Sequence, residues 1–61
     1  MNIQPVALVV EDEDDITTLL AFSLRKAGFA VTCVQNLSEA RAQVENALPD
    51  VVVLDWMLPD G

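Results

Sequence analysis

The sequence predicts an α/β fold, a doubly wound parallel sheet in the order strand, helix, strand, helix, strand. Three observations carry this expectation. Two apolar runs, Val6–Val10 and Val51–Leu54, are continuous rather than alternating, as strands covered on both faces are. The segments between the strand patterns have helical periodicity, which favours right-handed crossovers within one parallel sheet. Both apolar runs end on acids, Glu11-Asp12 and Asp55, and open α/β sheets bind ligands at the carboxyl ends of their strands.

Each element follows in order. After Pro5, the β-branched-rich run Val6–Val10 makes the first strand. Between residues 14 and 27, Ile16, Leu19, Leu20, Ser23, Leu24 and Ala27 recur at offsets that trace one helical face, expected to be core. Asp14 and Asp15 suit the amino end of that helix, Arg25 and Lys26 its last turn, and Gly28 its stop. Residues 29–34 alternate and form a second strand nearer an edge. Asn36 with Glu39 resembles a capping box for a second helix, whose stripe Leu37, Ala40, Val44 and Leu48 is expected to be buried, with Pro49 as its end. Asp50 leads into the third strand, Val51–Leu54, and Met57-Leu58-Pro59-Asp60-Gly61 is turn-rich. Placing the third strand beside the first gives the order 2-1-3, with a switch point between the acid-ended strands.

Bulk properties narrow the function. A chain of 61 residues is one small domain at most, and a domain of that size buries only about 60% of its unfolded surface. Ten acids against three basic residues, a formal net charge of -7, argue against direct nucleic-acid binding and against attachment to an anionic membrane. No apolar run reaches membrane-spanning length and no leader pattern opens the chain. Cys33 stands alone without any histidine, so it reads as a small buried hydrophobe, and the expected compartment is the cytoplasm.

The chemistry lies at the strand ends. Neighbouring strands lie about 4.8 Å apart, so Asp55 and the Glu11-Asp12 pair would repel one another unless a cation sits between them. Oxygen-only donors favour Mg2+ or Mn2+ over zinc. With a cation bound, Asp55 can keep one oxygen free to attack phosphorus, and an aspartyl phosphate is the expected product. Taken alone, the acids from Glu11 to Asp15 would be a solvated turn at a helix amino end. Glu13, Asp14 and Asp15 are assigned that structural role, with Glu13 at most reaching a metal through water. Asp50 and Asp60 read as strand-entry and turn residues, and Trp56 as a lid or a partner contact.

Val9-Val10-Glu11-Asp12-Glu13, followed by Asp50-Val51-Val52-Val53-Leu54-Asp55-Trp56-Met57-Leu58-Pro59-Asp60-Gly61, resembles the receiver domain of two-component response regulators. The wording Asp55-Trp56-Met57-Leu58-Pro59 is most similar to the subfamily whose receivers precede a winged-helix DNA-binding domain, as in phosphate-regulon regulators. The resemblance implies a flavodoxin-like fold and a phosphoacceptor rather than an enzyme, with at most Mg2+-dependent self-phosphorylation from a donor. It assigns Asp55 as acceptor, Glu11, Asp12 and Asp55 as metal ligands with the backbone carbonyl of Met57, and a sensor histidine kinase as partner, with the first helix bordering the surface that docks it.

Residues 1–61 then correspond to the amino-terminal half of a receiver, without an output domain. The family's Ser or Thr after a fourth strand and Lys after a fifth have no counterpart here, and Thr17, Thr18 and Lys26 on the first helix do not fill those roles. Two other readings compete. A haloacid-dehalogenase-like phosphotransferase needs an acid two residues after the nucleophile, where Met57 stands. A non-catalytic interaction fragment would associate, receiver to receiver, through an exposed third strand.

Overall fold

Local sequence signals and the observed elements agree closely in the computed structural model, which describes residues 3–54. In chain order these are β1 (Val6–Val10), α1 (Asp14–Lys26), β2 (Ala30–Val34), α2 (Leu37–Asn46) and β3 (Val51–Leu54). The sheet order is β2-β1-β3, with both pairings parallel, as expected. β1 is central, and Ala7, Leu8, Val9 and Val10 are essentially inaccessible to solvent. Its continuous apolar run is what burial on both faces requires.

The helix signals act where the sequence places them. Gly28, at φ 101°, ends α1. Gly28 N–H donates to the Arg25 carbonyl and Phe29 N–H to that of Leu24, both at 3.0 Å, the paired bonds of a Schellman ending. At the start of α2, Asn36 Oδ1 accepts the Glu39 N–H at 2.8 Å, while Glu39 Oε1 accepts the Gln35 N–H at 3.0 Å. The glutamate thus closes the box one residue upstream of the cap.

Three expectations about burial are corrected. The face of α1 turned to the sheet is Thr17, Leu20, Ala21 and Leu24; Ile16, Leu19, Ser23 and Ala27 are exposed, Leu19 at 67%. The helix packs on β1 and β2 and makes no comparable contact with β3 among the described residues. Small Ala21, 4% exposed, lets it come close to the sheet, which turns the contact face by nearly one residue from the stripe of large side chains. Leu48 is 82% exposed because α2 ends at Asn46 and Ala47 is already extended (φ -156°, ψ 121°). Leu48 precedes Pro49, which disfavours helical backbone at that position. Cys33 is exposed rather than buried, since β2 is an edge strand and α1 leaves a hollow beside it.

Candidate functional site

The carboxyl end of β1 is held by its own backbone. Parallel pairing sets Val10 beside Val34 on one side and beside Leu54 on the other. Glu11 N–H then donates to the Val34 carbonyl at 3.0 Å, carrying the ladder one residue past the strand. Glu11 is 5% exposed, and its Oε1 accepts the Glu13 N–H at 3.1 Å. Asp12 is exposed. The turn from Glu11 to Glu13 leads directly into α1, whose first turn carries Asp14 and Asp15.

The expected site is therefore placed in part. Glu11 and Asp12 lie at the end of the central strand, one largely enclosed and one open to solvent. Asp55, Trp56, Met57 and Asp60 lie outside the described residues. Asp55 directly follows Leu54, and Glu11 directly follows Val10, so the residues paired by the β1–β3 register are those immediately before the two acids. No group of three potential metal ligands occurs among the described residues. The donors in hand, two carboxylates without histidine or thiolate nearby, suit a hard divalent cation that completes its shell with water and a further oxygen ligand.

Two of the hollows among the described residues lie elsewhere. One of about 590 Å³ runs between α1 and β2 past Phe22, Lys26 and Cys33. The other, about 390 Å³, separates α2 from the sheet between Val44 and Leu54. Neither is lined by Glu11 or Asp12.

Asp50, expected as a strand-entry residue, fastens the start of β3 to β1. Its Oδ2 accepts the Val6 N–H at 2.7 Å, and its own N–H donates to the Val6 carbonyl at 2.8 Å. The available signal was its position, an acid directly before a strand, where a short side chain can reach a neighbouring backbone.

The chain is 42% identical over 55 residues to the phosphate regulon transcriptional regulatory protein PhoB of Rhizobium meliloti, an alignment covering 90% of this chain and 24% of that protein. It is 44% identical over 52 residues to the alkaline phosphatase synthesis transcriptional regulatory protein PhoP of Bacillus subtilis, covering 85% of this chain and 22% of the relative. It is 48% identical over 52 residues to the sensory transduction protein RegX3 of Mycobacterium bovis, covering 85% and 23%. The chain thus spans about a quarter of the length of these relatives. No solved structure matches it. Receiver domains of response regulators are phosphoacceptor modules rather than catalytic enzymes. The model of the response regulator receiver domain matches residues 7–61, and with the parallel β2-β1-β3 sheet and the acid-ended central strand in place, this chain belongs to that family.

Proposed function

We propose that this segment is the acceptor part of a receiver in a cytoplasmic two-component phosphorelay, in which Asp55 takes a phosphoryl group from a sensor histidine kinase. The observation that carries the reading is the β1–β3 register, which pairs Val10 with Leu54, the residues just before Glu11 and Asp55. In this reading Glu11, Asp12, Asp55 and the backbone carbonyl of Met57 hold Mg2+. The cation, when bound, offsets charge on the transferring phosphoryl oxygens. An Asp55 carboxylate oxygen attacks phosphorus, the bond from phosphorus to the donor nitrogen breaks, and its electron pair stays on the kinase imidazole. The relatives are named as transcriptional regulators, which supports gene control as the output of the complete protein.

The test is labelling of the complete protein with a small phosphodonor in the presence of Mg2+. One acid-stable, base-labile phosphoryl group is expected, and it is absent from Asp55→Ala; labelling that persists in this variant refutes the acceptor assignment. A second reading, association through β3, is favoured by the exposure of Val51, Val52 and Leu54 on that strand. Light scattering decides it for the 61-residue chain, since a clean monomer with a cooperative unfolding transition counts against association.

A further inference from the structure

The hollow of about 590 Å³ between α1 and β2 has Thr18, Ala21 and Phe22 of α1 and Cys33 of β2 in its walls, with Arg25 and Lys26 from the last turn of the helix. A flavodoxin-like sheet runs in the order 2-1-3-4-5, so strands added to this one join beyond β3 and β2 stays at the edge. The hollow belongs to that edge. Phe22 stands beside it 63% exposed, a large aromatic ring on the outer side of a helix, which is a feature of contact surfaces. Lys26 Nζ lies 5.7 Å from the centre of the ring and so engages one of its faces.

The stripe of α1 beside the hollow is complementary to its own reverse. Asp15, Thr18, Phe22 and Arg25 follow one another at intervals of three, four and three residues, the spacing of a single helical seam, and all four are exposed. Laid antiparallel on a copy of itself, the seam sets Asp15 against Arg25 and Thr18 against Phe22, each pair occurring twice about a two-fold axis. Such self-complementarity is what an isologous contact requires. The Phe22 ring of each copy then enters the hollow of the other beside Thr18, Ala21 and Cys33, whose small side chains leave room for it. Thr18 brings no orphaned donor to that contact, since its Oγ1 already donates to the Asp14 carbonyl at 3.0 Å. Charge favours the same arrangement. With ten acids and three basic residues per chain, two copies repel one another in most orientations, whereas this one places both Asp15–Arg25 pairs across the contact.

We propose that the occupant of this hollow is a second copy of the chain, seated α1 against α1 in a weak two-fold dimer. One helix per copy is a small contact, which places the association among the transient ones. The surface is separate from the exposed β3 strand considered above.

The experiment measures the dimer dissociation constant of the complete protein by sedimentation equilibrium, without phosphodonor, for variants that circular dichroism shows to be folded. Wild type is expected to dimerise more weakly as salt is raised, because the outer pairs are ionic and exposed. Phe22→Ala is expected to raise the dissociation constant about tenfold or more, as loss of a central aromatic anchor does. Asp15→Arg and Arg25→Asp, each alone, set like charges against one another and are expected to leave monomers. Mixed together, these two variants are expected to form a heterodimer, because the reversed charge of each copy then meets its opposite on the other. A wild type that stays monomeric up to about 1 mM, a dissociation constant unmoved by Phe22→Ala, or a mixture that remains monomeric overturns the proposal. A dimer held through β3 would give the second of these results, since none of the substitutions touches that strand. The comparison of Phe22→Ala with wild type stands even if a charge-reversed variant does not fold.

Discussion

Glu11 and Asp12 are consecutive acids in opposite surroundings, one 5% exposed and the other on the surface. The difference follows from the strand they end: the Glu11 backbone is still bonded to Val34, while Asp12 lies beyond the ladder. Asp12 is thus the acid that can be changed without disturbing the packing of β1. In the complete protein, Mg2+ is expected to quench or shift Trp56 fluorescence, and Asp12→Asn to abolish that response with little change in Tm. An unchanged titration in the variant would remove Asp12 from the metal assignment. Leu8, 1% exposed at the centre of β1, has the opposite profile. Leu8→Ala is expected to cost about 2–5 kcal/mol in chemical denaturation, the range for a buried leucine that leaves a cavity.

At the scale of elements, helix ends are decided locally and helix faces are not. Asn36, Glu39 and Gly28 act as the sequence indicates, because each bond spans only a few residues. Asn36→Ala is expected to cost about 0.5–2 kcal/mol through loss of the cap on the Glu39 N–H. A side chain at Gly28 would meet nothing within 4 Å, so the cost of Gly28→Ala is conformational, about 1–2 kcal/mol for a left-handed backbone. The inward face of α1 depends on its partners. Its large aliphatic stripe suggested Ile16 and Leu19, yet the sheet contacts the side bearing Ala21. Ala21→Leu should therefore overpack the interface at a cost of about 1–3 kcal/mol, whereas Leu19→Ala should stay within about 0.5 kcal/mol. The reverse ranking would restore the face read from periodicity.

For the molecule as a whole, the core among the described residues is small. Its buried apolar side chains are Ala7, Leu8, Val9 and Val10 on β1 and Ala21 on α1, and α2 contributes no fully buried residue. β3 is exposed along much of its length. With so little enclosed apolar surface, the 61-residue chain on its own is expected to unfold at low denaturant with a broad transition and to label weakly or not at all. Stoichiometric labelling of the isolated chain would show that residues 1–61 suffice for the chemistry. Among the described residues, no helix is long and apolar enough to cross a membrane.

Element order, strand order, the cap of α2, the stop of α1 and the burial of β1 were all legible in the sequence, as was the spacing between the acid-ended runs. These features depend on contacts within a few residues or on the length and continuity of an apolar run, which composition and periodicity record directly. Tertiary structure alone decided which side of α1 meets the sheet, that Cys33 and Leu48 face solvent, and that Asp50 clasps Val6. The physical reason is that each depends on where a second element lies. A helix offers several plausible faces until a sheet selects one, and an acid at a strand entry gains its backbone partner only when the neighbouring strand lies beside it.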